Sequence, residues 1–164
     1  MEKISRLVTG DESVLRDIRL RALADSPSAY GSTLEEETAL TEADWQKRLA
    51  RIDAATFVYR ENDGAACGLV TAVIDDDFAH IAWLLSMWVE PSKRGGGVAG
   101  QLIDEVIAWS RAQKCTYILL QVTSGNTSAE RTYEKRGFRK TGTTIVRERD
   151  NMAESEMKLL LEPA

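Results

Sequence analysis

At 164 residues the chain has the size of one ordinary domain, residues 1–164, with enough material for a core that needs no disulfide or metal staple. Its 43% hydrophobic and 29% charged content are those of a globular protein, and no apolar run approaches the roughly 20 residues of a transmembrane helix. The formal charge of −5 argues against a general nucleic-acid binder, which needs a basic face. Residues 1–10 lack the apolar centre of a signal peptide, so the expected location is cytoplasmic. The charge is unevenly spread. Residues 1–80 carry 9 basic and 16 acidic side chains, whereas residues 81–164 carry 12 basic and 10 acidic. The acidic half would suit a cationic amine, and the basic half an anion.

The first segment, Ile4 to Val8, alternates as a strand does. A helix follows over Asp11 to Ala24, with Val14, Leu15, Ile18, Leu20, Ala22 and Leu23 on its apolar stripe, until Ser26-Pro27-Ser28 breaks it. Thr41 opens a second helix through Trp45 to Ala50. Thr56 to Tyr59 and Cys67 to Ile74 form a hairpin across Glu61-Asn62-Asp63-Gly64, whose Asp-Gly pair is a strong turn signal. Asp75-Asp76-Asp77 is a second turn; without regular ligand spacing it reads as solvated, and no metal site is expected. His80 to Val89 is a buried strand stopped by Pro91. After the glycines at 95, 96, 97 and 100, apolar residues recur at helical spacing: Val98, Leu102, Ile103, Val106 and Ile107. Tyr117 to Val122 is the next buried strand, Asn126 to Arg136 a short helix ended by Gly137, and Phe138 to Val146 and Glu156 to Leu161 a closing pair of strands. The order is β-α-α-β-β-β-α-β-α-β-β, a single α/β (α+β) domain with a mixed, mostly antiparallel sheet flanked by helices. Cys67 and Cys115 lie in strand-like surroundings without C-x-x-C spacing and read as buried free thiols.

The glycine-rich loop sits where a strand ends and a helix begins. Glycines there let bare backbone approach a ligand, and the unpaired N–H groups with the positive end of the helix dipole suit an anion such as a pyrophosphate. Two motifs fit it. Gly95, Gly97 and Gly100 satisfy G-x-G-x-x-G, but that dinucleotide fingerprint needs an acidic residue about 20 positions on, and Tyr117 to Val122 contains none. A Walker loop would need a Lys-Ser or Lys-Thr pair after the glycines, which is absent. Arg94, Gly97 and Ala99 instead satisfy [Q/R]-x-x-G-x-[G/A], and Asn126, Ala129, Tyr133, Gly137 and Phe138 satisfy N-x-x-A-x-x-x-Y-x-x-x-G-F. In that order, with a helix and an apolar strand between them, the two segments resemble the GNAT superfamily of N-acetyltransferases. The match is specific from about Leu84 to Phe138 and general outside it.

The resemblance implies acetyl-coenzyme A as cosubstrate and an amine as acceptor, with direct attack in a ternary complex. It places the pantetheine arm against the backbone of Met87, Trp88 and Val89, where an N–H polarises the thioester carbonyl, and the pyrophosphate on Arg94, Gly95, Gly96, Gly97, Val98, Ala99 and Gly100. Asn126 resembles the residue that bonds the cofactor arm, although a helix cap explains it as well. Tyr133 resembles the general acid that protonates the departing thiolate. Tyr30, Glu35, Glu36 and Glu37 fall in the region that walls the acceptor site in the family and are candidates for amine recognition; for the three glutamates a solvated helix start is the competing reading.

One position departs from the ribosomal-protein branch of the family, which has a Glu five residues before the motif asparagine; here it is Gln121, and an amide cannot take a proton. The base would then be water, His80, or a carboxylate such as Glu35 or Glu36. A small-molecule amine is therefore the expected acceptor. Protein N-terminal acetylation of the ribosomal type and a non-catalytic acyl-coenzyme A-binding or sensing module are the alternatives. A homodimer through the last strand, Met157 to Leu161, and a monomer that buries it internally fit the sequence equally.

Overall fold

The computed structural model describes residues 3–162. Seven strands, β1 (Ile4–Leu7), β2 (Ala54–Arg60), β3 (Ala66–Ile74), β4 (Ile81–Val89), β5 (Tyr117–Thr123), β6 (Arg139–Val146) and β7 (Ala153–Leu160), form one sheet in the order β1-β2-β3-β4-β5-β7-β6. Every neighbouring pair is antiparallel except β4 and β5, which are parallel. Five helices complete the fold: α1 (Glu12–Asp25), α2 (Leu34–Thr38), α3 (Glu42–Ala50), α4 (Val98–Ala112) and α5 (Thr127–Glu134).

Strand alternation divides the core into two layers. Phe57 and Val70 point to the side on which α4 buries Val98, Leu102, Ile103 and Val106, together with Tyr133 and Phe138. Their neighbours Val58 and Leu69 point to the other side, against Leu15, Ile18, Ala22 and Leu23 of α1 and Trp45 of α3. Each fully buried side chain of this size contributes about 1.5–3 kcal/mol. In β3 the absence of a side chain at Gly68 lets α4 lie close, since a Cβ there would meet Leu102 and Val98 methyls at 3.0 Å.

The strand and helix order agrees with the expectation except for one insertion. Between the break at Ser26–Ser28 and α3, the chain makes the extra single-turn α2, closed by a capping box. The Thr33 hydroxyl accepts from the Glu36 N–H, and the Glu36 carboxylate accepts from the Thr33 N–H, both at 3.1 Å. The second closing strand starts at Ala153 instead of Glu156. It lies between β5 and β6 and is hydrogen-bonded on both sides, so it offers no free edge to a second subunit; that part of the homodimer expectation is overturned. Asp75 does make a turn, its carboxylate accepting from the N–H groups of Asp77 and Phe78 and from the Trp83 indole. Cys67 and Cys115 are buried free thiols.

Candidate active site

A topological fork in the sheet creates the cleft. The β4–β5 ladder runs only from Ile81↔Tyr117 to Trp83↔Leu119, after which the strands part. Among the described residues no strand lies against that edge of β4 beyond Trp83. Ser86 and Met87 then stand against the single residue Val70 of β3, a bulge in which Ser86 takes φ +60°. The chain leaves β4 through Trp88 and Val89 and enters α4 from Gly97, at φ +87°. A β-carbon would be strained in that left-handed backbone. Gln101 N–H bonds back to the Gly97 carbonyl, so the N–H groups of Val98, Ala99 and Gly100 lie in the first turn without intrahelical acceptors.

Together β4, the loop, α4 and α5 enclose a cleft of about 580 Å³. Most of the residues singled out by the sequence meet there. Met87, Trp88 and Val89 border it on one side, Arg94, Gly95, Gly97, Val98, Ala99 and Gly100 at the loop, and Asn126, Tyr133 and Tyr30 elsewhere on its lining. Asn126 caps α5 through its Oδ1, which accepts from the Ala129 N–H at 3.2 Å. Tyr133 is buried, its ring edge-on to Phe138 with centroids 5.8 Å apart. Burial holds its phenol well above the ordinary value, and the nearby Tyr30 adds to the effect, so the hydroxyl remains a donor at neutral pH. Tyr30 donates to the Met87 carbonyl at 3.3 Å, and burial raises its phenol too.

Arg94 borders the cleft, but two of its nitrogens are already engaged: Nε donates to the Val89 carbonyl at 2.9 Å and Nη2 to Asp25 at 2.7 Å. Asp25 also accepts from the Trp88 indole. These bonds, led by those from Trp88 and Ser26, hold the Asp25 carboxyl below its ordinary range. Four expected residues lie elsewhere. Gly96 is in the loop but does not border the cleft. Glu36 is spent on the capping box and a bond to the Ser32 hydroxyl, and Glu35 is exposed in the first turn of α2. Both charges sit at the positive end of a helix, where they stabilise it, whereas Glu37 of the same turn is buried and not solvated as the helix-start reading expected. His80 is removed as a base candidate, because it stands exposed at the start of β4 between Phe78 and Tyr117. Met87 lies seven residues further along that strand, about 23 Å at the usual rise.

Several cleft residues were not singled out from sequence. Ser128, Thr132 and Arg136 share a helical face with the motif residues Ala129 and Tyr133, so a helical projection of α5 would have found them. Lys135 borders the cleft as well and forms no ion pair among the described residues, whereas Lys93 is paired with Glu61 and Arg136 with Asp104. Gln121 is exposed on the face of β5 opposite Leu120 and Val122, and the register sets Glu156 of β7 directly beside it. The segment before α2 is held by the turn after β6: Arg149 donates to the carbonyls of Ser32 at 2.9 Å and Tyr30 at 2.7 Å, and Arg147 to that of Tyr30 at 3.2 Å.

Comparison with known proteins agrees with this geometry. The profile of the Acetyltransferase (GNAT) family matches residues 19–138. A mycothiol acetyltransferase of Thermobispora bispora is 29% identical over 132 residues, covering 78% of this chain and 43% of the relative. An aminoglycoside N(6')-acetyltransferase type 1 of Salmonella typhimurium is 29% identical over 109 residues, covering 63% and 74%. The chain spans less than half the length of the mycothiol acetyltransferases it matches. A Salmonella typhimurium protein solved with its cofactor acetyl-CoA superposes with a TM-score of 0.79 at 18% identity, covering 98% of this chain and 94% of that one. With the profile match extending over most of its length, the forked sheet and the glycine loop of this chain are those of the GNAT acetyltransferase family, to which it belongs.

Proposed function

We propose that the protein transfers an acetyl group from acetyl-coenzyme A to a primary amine of a small molecule by direct attack in a ternary complex. The observation that carries this reading is the edge of β4 left without a neighbouring strand after Trp83, followed through the glycine loop by the N-terminus of α4, with Tyr133 bordering the same cleft. An extended pantetheine arm lies along Met87 to Val89 as an added strand would and takes backbone N–H groups there, since the Met87 and Val89 carbonyls already accept from Tyr30 and Arg94. The pyrophosphate rests on the N–H groups of residues 97–100, with Lys135 supplying positive charge. The solved relative with acetyl-CoA and the amine-directed names of the aminoglycoside relatives support the choice of cosubstrate and acceptor class.

In the reaction a neutral amine attacks the thioester carbon, the C–N bond forms, and the carbonyl oxygen becomes an oxyanion held by backbone N–H groups of the β4 bulge. The C–S bond then breaks and the thiolate leaves, stabilised by the Tyr133 hydroxyl. A buried phenol is a weaker acid than a free one, but the same burial raises the basicity of the thiolate, so a hydrogen bond from Tyr133 remains well matched to it. The proton lost by the amine passes through water on the face where Gln121 and Glu156 stand, Glu156 being the carboxylate there. The second reading, an acyl-coenzyme A-binding module without transfer, is favoured by Gln121 alone. Calorimetric titration with acetyl-coenzyme A, with NAD as control, followed by an amine screen for thiol release, separates the two. Micromolar binding with release supports transfer, binding without release on any amine supports the module, and no binding refutes both.

A further inference from the structure

Glu37 is the only fully buried charged side chain among the described residues, 1% exposed at the end of α2. Arg19 of α1 meets it with a fork, Nε to Oε1 at 2.9 Å and Nη2 to Oε2 at 2.9 Å. Arg48 of α3 adds a bond to Oε1 at 2.9 Å. The remaining nitrogen of Arg19, Nη1, donates to the Ser86 hydroxyl at 2.8 Å, and the guanidinium lies 4.7 Å over the Tyr30 ring. Tyr30 in turn holds the carbonyl of Met87. Both residues of the β4 bulge are thus tied to one arginine, Ser86 directly and Met87 through Tyr30.

Stability is a weak reason for such an arrangement, because the desolvation of a buried ion pair cancels much of its attraction. Direction is a better one. Ser86 stands in the left-handed region that few non-glycine residues occupy, and such a backbone persists only where its surroundings over-determine it. Bulges re-aim the strand locally, here within a few residues of where β4 loses its neighbour at Trp83. We propose that Arg19, clamped by Glu37, is a positioning residue for acetyl transfer: it locks the Ser86–Met87 bulge so that the backbone N–H groups there meet the thioester carbonyl in a fixed direction. This rests on the acetyl-coenzyme A reading above. A lysine could not replace it, since a point charge cannot serve Glu37 and Ser86 at once.

The test reads the carbonyl itself. Acetyl-coenzyme A labelled at the carbonyl carbon is bound to the whole protein, and its stretching band is recorded by isotope-edited infrared difference spectroscopy beside a calorimetric Kd and a Tm. In the wild type the bound band lies below its solution position. Ser86→Gly removes the hydroxyl while favouring the left-handed backbone, so the fold is kept. Its band returns most of the way to the solution position and broadens, Kd stays within about 3-fold, and turnover of any accepted amine falls about 10-fold or more, as when an oxyanion donor is misplaced. Arg19→Met behaves alike. Ser86→Asn, tolerated at positive φ and carrying an oxygen that Arg19 can reach, restores the shift. A wild-type band that is unshifted, or a shift that survives in Ser86→Gly, overturns the proposal, and the Ser86 pair decides it even if Arg19→Met fails to fold. Absence of any acetyl-coenzyme A binding to the wild type refutes instead the function on which the proposal rests.

Discussion

Replacing Tyr133 by Phe isolates one oxygen atom. The ring packs edge-on against Phe138 and is buried, and Phe keeps that packing. Among the described residues the hydroxyl forms no hydrogen bond within the protein, and the residue borders the cleft. Its removal therefore leaves no orphaned donor or acceptor behind, and the Tm should stay within about 2 °C of the wild type. The leaving thiolate alone loses its partner. Positioned proton donors contribute about 10²-fold or more to difficult departures, and thiolate is already a fair leaving group, so kcat should fall about 10- to 100-fold, or roughly 1.4–2.7 kcal/mol of barrier. The acetyl-coenzyme A Kd should be unchanged. Steady-state thiol release at saturating acetyl-coenzyme A, with calorimetry on the same preparations, measures all three quantities. Unchanged kcat with unchanged Kd would remove Tyr133 from the chemistry, and a collapse of Tm would make its role structural.

Other substitutions probe the walls of the site. Arg149→Ala releases the carbonyl of Ser32, leaves that of Tyr30 to Arg147 alone, and should raise the acceptor KM several-fold while leaving the acetyl-coenzyme A Kd unchanged, read by kinetics at fixed cosubstrate. Gly97→Ala forces a β-carbon into φ +87° at the helix start; a loss of about 1–2 kcal/mol in stability, seen as a lower Tm, and weaker acetyl-coenzyme A binding should appear together. Asp25→Asn tests the brace between α1, Trp88 and Arg94. Because the folded-state carboxyl of Asp25 titrates below its ordinary value of 3.8, its stabilisation is fully present above that value and is lost as pH falls through the lower folded value. The Tm gap between wild type and Asp25→Asn should therefore be widest near neutrality and close below about pH 4, and a gap that widened on acidification would contradict the sign.

Much of the site was legible in the chain because it is built from short, contiguous pieces. A strand stopped by Pro91, a loop whose glycines accept positive φ, and a helix with apolar residues at 98, 102, 103 and 106 specify an anion site by local geometry alone. The α5 segment likewise sets Asn126, Ala129 and Tyr133 on a cap and one face of a helix by spacing alone. What the sequence could not give depends on contacts between distant segments. The fork after Trp83 and Leu119 is set by how two parallel strands diverge, and the bulge at Ser86 by one residue of β3 meeting two of β4. Arg19, Glu37 and Ser86 belong to three separate elements, and no local pattern marks their meeting. The three glutamates of α2 look alike in sequence. Only packing separates them, because a single helical turn sends Glu37 into the core, where two arginines wait, and leaves Glu35 in water and Glu36 on its own cap. Periodicity and backbone chemistry are local and can be read from the order of residues, whereas which charge is buried against which partner is decided by the tertiary fold.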